Sequence, residues 1–267
     1  MPKTNAGLAG LLTAPLCCRY LLAVFDDTHI AVGQGEDACN QVLRWGLGTL
    51  LDGQLELLGV WQSASTDETL SARISEDLQL RGVEEIRFVA GLQSPGFERA
   101  QDALCLGAEA LPSSSHLSLQ IGTKLRAQDR EAGSDFSASL FSASTAERAG
   151  AALAKFAASP VGVKCPELVE GWRLAIQQLS PFYASAPRIR RVVRNADAAA
   201  MQLSRAMRRA VNRHGCFYSL EAATSLVAET LIRAEARLSA RAASPATGPR
   251  YRGAGVSARS GVSAAGL

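Results

Sequence analysis

Leu21-Leu22-Ala23-Val24-Phe25-Asp26-Asp27-Thr28-His29-Ile30-Ala31-Val32 is an apolar run of strand length with two carboxylates in its middle. Burying a lone carboxylate costs too much, so these acids must sit at a site, bind a cation or be paired. Successive side chains of a strand point to opposite faces, which gives Asp26 and Asp27 different surroundings. The pattern predicts a first core strand over residues 20–32, and the rest of the fold is read outward from it.

Residues 41–51 predict a second strand that ends at Asp52-Gly53, a strong hairpin signal. Residues 54–62, with Leu55, Leu57, Leu58, Val60 and Trp61, return as the third strand. Ser65 to Asp67 offer caps for a helix over 68–81, in which Leu70, Ile74, Leu78 and Leu80 recur near helical spacing. Gly82 ends that helix, and residues 84–90, with Ile86, Phe88 and Val89, form the next strand. Three meandering strands, a crossover helix and a further strand suit an α/β fold with a mixed sheet of RNase H-like type.

Further helices are predicted over 97–107, 145–158, 166–179, 187–211 and 220–238, while the Ser-rich stretch 113–144 has only weak periodicity. From residue 239 onward the chain is Ala, Ser, Gly, Arg and Pro with almost no bulky apolar residue, and it is expected to be disordered. The expected organisation is an N-terminal extension over 1–14 and the first part of the core over 15–112. A helical insertion over 113–186, C-terminal helices over 187–238 that complete the core, and a tail over 239–267 follow.

With 267 residues, 47% hydrophobic and 20% charged, the chain can form one large domain or two small ones. A net charge of +3 and a pI near 8.6 do not by themselves indicate nucleic acid. No apolar run approaches the roughly 20 residues of a membrane helix, so no membrane partner is expected. Residues 21–24 read as the first strand and not as part of a signal peptide. The six cysteines, Cys17, Cys18, Cys39, Cys105, Cys165 and Cys216, are scattered without C-x-x-C or ligand spacing and read as reduced thiols of a cytoplasmic protein. Gly33-x-Gly35 lacks the third glycine and the helix of a dinucleotide fingerprint.

Blocks of residues, taken in order over about 15–238, resemble the Mutator-type bacterial transposases. The first runs from Pro15-Leu16 through Tyr20, Val24, Asp26 and His29 to Val32, and continues through Gly48, Leu51-Asp52-Gly53, Leu58-Gly59 and Trp61. Asp77-Leu78 and Arg81-Gly82-Val83 are similar to the end of the family's crossover helix. Trp172-Arg173, Leu179 to Tyr183, Ile189 to Val192, Asn212-Arg213, Phe217 and Glu221 to Ala223 resemble its C-terminal signature.

The resemblance implies an RNase H-like catalytic domain and metal-dependent DNA strand cleavage and transfer by an Asp, Asp, Glu triad. Such carboxylates hold two Mg²⁺ ions, which activate the attacking oxygen and stabilise the leaving one. Asp26 stands where the first of them belongs. The family's second Asp lies in Val-Asp-Gly-Leu, where this chain reads Val89-Ala90-Gly91-Leu92. Its Glu falls at Ala200 when counted without gaps, with its Asn at Asp197, or at Ala198 when anchored on Asn195-Ala196. A family Cys and His correspond to Ser113 and His116. Mg²⁺ is the cofactor the resemblance implies, yet Asp26 alone is a weak metal ligand, unless Asp197, one helical turn from Ala200, turns toward the same face. His29 and His116 read as ordinary core or surface histidines, and His214, in a Gly-rich turn, as structural. Family members also carry a helical DNA-binding region ahead of the first catalytic strand; only residues 1–20 precede it here, so that module is expected to be absent.

Arg188, Arg190, Arg191, Arg194, Arg205, Arg208, Arg209 and Arg213 stand against the single acid Asp197 between positions 188 and 213. Several of them can share one helical side, either as a solvated basic face or as a stripe that neutralises phosphates with salt-dependent, sequence-independent affinity. The resemblance favours DNA. The expectation is a transposase-family protein, related to DNA transposition and catalytically impaired, with DNA as a non-specific partner. A non-catalytic DNA-binding or assembly protein and a decaying transposase remnant are the alternatives; a homo-oligomer is compatible with all of these.

Overall fold

The structure, a computed structural model, describes residues 10–11, 13–33, 38–62, 67–91 and 108–243. Strands β1 (Arg19–Val32), β2 (Cys39–Thr49) and β3 (Leu55–Gln62) form the antiparallel meander, with β1 paired to β2 and β2 to β3. The hairpin between β2 and β3 closes where Asp52-Gly53 predicts it. Gly53 takes φ +96°, its N–H donates to Leu50 O at 3.0 Å, and Asp52 Oδ1 accepts from Gln54 N at 2.9 Å. A side chain at that φ would be strained, which is why glycine ends the turn.

Helix α1 (Asp67–Leu80) then crosses to β4 (Glu85–Gly91), which lies parallel to β1. The helix ends in a paired motif around Gly82 at φ +98°: Gly82 N donates to Gln79 O at 3.0 Å and Val83 N to Leu78 O at 2.9 Å. These bonds satisfy carbonyls that a helix end otherwise leaves open. The caps expected at Ser65 and Thr66 and the helix expected over 97–107 lie outside the described residues.

A short strand β5 (Glu109–Pro112) adds in parallel to β4, and β6 (Cys216–Phe217) pairs in parallel with the far end of β1. The sheet order is β3-β2-β1-β4-β5, with β6 beside β1. The fold is therefore mixed α/β, with antiparallel strands on one side of β1 and parallel strands on the other.

The Ser-rich stretch forms two helices, α2 (Ser114–Lys124) and α3 (Arg130–Ser142). Helices α4 (Ala146–Ala157), α5 (Pro160–Lys164), α6 (Pro166–Gln178) and α7 (Ser180–Ala184) follow. Phe136, Phe156 and Trp172 hold this helical part together, with ring centroids 4.5 to 5.0 Å apart. The long α8 (Pro187–His214) and α9 (Leu220–Ala243) return to the sheet. Residues 239–243, expected to be disordered, continue α9 instead: Ala and Arg are strong helix formers, and Ser239 Oγ donates to Glu235 Oε1 at 2.5 Å. No described helix is long and apolar enough to cross a membrane.

The two faces of the sheet have separate cores. Phe25, Leu58, Trp61 and Val89 pack with Leu70, Ile74 and Leu78 of α1 on one. Val24, Trp45, Leu47 and Phe88 pack with Ala196, Ala200, Leu203, Met207, Val227 and Leu231 of α8 and α9 on the other. Asp26 follows Val24 by two residues on that second face, beneath α8.

Candidate functional site

Asp26 lies on the central strand, and β1 continues past Val24, the last of its residues in register with β4. This is where an antiparallel neighbour on one side meets a parallel neighbour on the other. The Asp26 side chain is buried, at 9% exposure, and its partners are local. Ser204 Oγ of α8 donates to Asp26 Oδ2, and the Asp27 N–H donates to Asp26 Oδ1 at 2.9 Å. Burial pushes the Asp26 carboxyl above its ordinary range, with the Asp27 charge adding to the rise; the Ser204 and Asp27 hydrogen bonds and the Arg208 charge pull it back.

Asp27, on the opposite face, has a separate partner. It faces Arg44 across the β1–β2 pair, and the guanidinium grips both carboxylate oxygens at 2.7 and 2.8 Å. Arg44 is 2% exposed, so this buried pair balances its own charge and leaves Asp27 unavailable to the Asp26 side.

Ala90 of β4 is in register with Val24, two residues before Asp26 on the same face. Ala200 is buried on the sheet-facing side of α8, and its carbonyl accepts a second bond from Ser204 Oγ at 3.1 Å. Ser204 thus links the Ala200 turn of the helix to Asp26. Ala198, by contrast, is exposed and lines a cavity of about 690 Å³ with Asp52, Gln54 and Gln202. Asp197 is buried but engaged elsewhere: its Oδ1 accepts from Ser114 N at 3.1 Å, capping α2. Burial raises the Asp197 carboxyl above its ordinary range, and the Ser114 bonds lower it.

Among the described residues, no group of three or more His, Cys, Asp or Glu side chains is placed to hold a metal ion. Mg²⁺ requires a near-octahedral set of oxygens and usually more than one carboxylate. One carboxylate already bonded to a hydroxyl and an amide does not fit that requirement.

The family model described as "Transposase, Mutator family" matches residues 8–238. The chain belongs to the Mutator family of transposases. It is 27% identical over 198 residues to a probable transposase for an insertion sequence element of Corynebacterium diphtheriae, covering 74% of this chain and 57% of that one. It is 26% identical over 213 residues to the transposase for insertion sequence element ISRM3 of Rhizobium meliloti (strain 1021), covering 80% and 53%. The chain thus spans about half the length of the curated relatives it matches.

The remaining positions singled out in this Mutator-family chain fall in several places. His29 is exposed, and Ser113 Oγ donates to Gly91 O at 3.3 Å, joining the ends of β4 and β5. His214, at the end of α8, stacks on Phe217 with centroids 4.0 Å apart and planes 3° from parallel. Of the arginines, Arg188, Arg191, Arg205, Arg208, Arg209 and Arg213 are exposed. Arg190 and Arg194 are turned inward. Arg190 Nη1 donates to Tyr183 O at 3.0 Å and Ser185 O at 2.7 Å, and Arg194 Nη1 donates to Phe141 O at 3.2 Å. These two tie α8 to α7 and α3 and are not part of an exposed stripe.

Two features were not singled out from the sequence: Ser204 as the partner of Asp26, and the arginines of α9. Ser204 lies four residues after Ala200, one helical turn on, so the spacing that locates Ala200 also points to it.

Proposed function

We propose that this protein is a DNA-binding member of its family with an RNase H-like core, in which metal-dependent strand cleavage and transfer are impaired. The observation that carries the reading is the set of residues around Asp26. Asp26, which the resemblance aligns with the family's first carboxylate, lies on the central strand, and Ala90 and Ala200, which it aligns with the second Asp and the Glu, are both buried and offer no ligand atoms. The gapless alignment at Ala200 is favoured over Ala198 because Ala198 is exposed. The sheet order supports the RNase H-like reading, since a three-stranded antiparallel meander leads through the crossover helix α1 to β4, parallel to β1, with β5 parallel to β4. The exposed arginines of α8, Arg188, Arg191, Arg205, Arg208, Arg209 and Arg213, support DNA as the partner.

The test is nicking of supercoiled plasmid DNA by purified protein in Mg²⁺ or Mn²⁺, beside Asp26→Asn. The expected result is no nicking above the level of the variant. Metal-dependent nicking that disappears in Asp26→Asn would overturn the proposed impairment.

A further inference from the structure

Helices α8 and α9 run antiparallel, and a cleft opens between them. Two adjoining cavities of about 470 and 290 Å³ share Ala206, Arg209, Ala234 and Arg237. One wall carries Arg205, Arg209, Arg213 and His214 of α8, the other Arg233 and Arg237 of α9. No acidic residue lines either cavity among the described residues. Arg233 is partly compensated by Glu229 at 3.1 Å.

The cations are placed where folding alone gives no reason for them. Arg205 and Arg209, Arg209 and Arg213, and Arg233 and Arg237 are each four residues apart on one helix, a spacing at which like charges repel. The walls add repulsion across the cleft, in a chain whose net charge is only +3. Only Arg213 and His214 are accounted for by the C-terminal end of the α8 dipole. Small residues, Ala206, Ala210 and Ala234, keep the floor low between the guanidinium groups. Arg209 is rotated by about 140° from Ser204 around α8, so the cleft opens away from Asp26. Successive arginines rise about 6 Å along α8, giving a linear row of planar forks suited to phosphate oxygens.

We infer that the α8–α9 cleft binds one phosphodiester strand of a nucleic acid, gripped by Arg205, Arg209 and Arg213 on one wall and Arg233 and Arg237 on the other. The inference rests on the DNA-binding reading above and gives it a location. The strand belongs either to a duplex or to a single-stranded nucleic acid, and the two are separable by experiment.

The test is fluorescence anisotropy of the full chain with a labelled duplex and with a single strand of the same sequence, over a series of salt concentrations. Arg209→Gln/Arg213→Gln/Arg237→Gln is compared with Arg126→Gln/Arg148→Gln/Lys155→Gln, which removes equal charge from exposed positions elsewhere. The cleft variant is expected to lose about tenfold or more in affinity and to flatten the slope of log affinity against log salt by about 2–3. The control is expected to keep the wild-type slope. Loss with either probe supports the cleft, and the probe affected identifies the source of the strand. Arg205→Gln/Arg233→Gln, read in the same way, decides the matter if the triple variant does not fold. If the wild type binds and both cleft variants match the control, the cleft alone is overturned. If the wild type binds neither probe, the DNA-binding reading falls and the cleft with it.

Discussion

At the scale of single residues, the balance around Asp26 decides what the site costs and what it can do. Ser204, the Asp27 amide and the Arg208 charge replace part of the lost water, but burial outweighs them and the carboxyl is raised above its ordinary range. A raised native value means that the folded protein keeps a proton which the unfolded chain gives up. Stability from this group is therefore fully present below the unfolded value and is lost as pH rises through the native one. Asp26→Asn keeps the shape and an acceptor oxygen without the charge. It should stabilise the protein at neutral pH by about 0.5–2 kcal/mol, the usual gain from relieving a costly functional position. The gain should shrink toward zero as pH falls below the carboxylate range, measured by urea denaturation at both pH values. An equal gain at both, or a loss at neutral pH, would show that Asp26 is well compensated by its neighbours. Asp197 shares the upward shift but has an evident structural task at the start of α2.

Among the elements, α8 carries most of the argument, and its faces divide the work. One side buries Ala196, Ala200, Leu203 and Met207 on the sheet, and the opposite side exposes Arg205, Arg209 and Arg213. Arg190 belongs to neither: it holds the last carbonyls of α7 to the first turns of α8. Arg190→Ala should therefore destabilise the fold by roughly 1.5–3 kcal/mol, the range for bonds from a charged donor, in thermal or urea unfolding. It should leave the salt slope of DNA binding unchanged, whereas loss of a phosphate contact would lower that slope by about 0.9. Such inward arginines look the same in sequence as exposed ones, because their carbonyl partners lie on α7 and α3. The meander, α1 and the long helices were legible, since strong alternation, the Asp52-Gly53 turn and the Gly82 stop are local signals. Strands β5 and β6, with 4 and 2 residues, are too short to show a period and exist through pairing with β4 and β1. The helices of the Ser-rich stretch were hidden because serine blurs the apolar stripe, though Leu117, Ile121, Phe136 and Leu140 are buried.

For the molecule as a whole, a mixed sheet covered by α1 on one face and by α8 and α9 on the other sets Asp26 on the central strand, where the strand directions change. Asp26, Ala90 and Ala200 were singled out through family resemblance alone, and neither composition nor periodicity points to them. What the sequence could not supply was the local partnership: Ser204 on Asp26, Ser114 on Asp197, and Arg44 on Asp27. Each joins residues distant in the chain, and helical spacing points to Ser204 without naming its partner. With Asp27 and Asp197 engaged elsewhere, no group of three or more His, Cys, Asp or Glu side chains forms around Asp26 among the described residues. The most direct measurement is titration of the purified protein with Mn²⁺, with free ion followed by electron paramagnetic resonance, for the wild type and Asp26→Asn side by side. Superimposable curves, with no saturable site that depends on Asp26, are expected. A stoichiometric site in the wild type that is lost in Asp26→Asn would contradict this expectation.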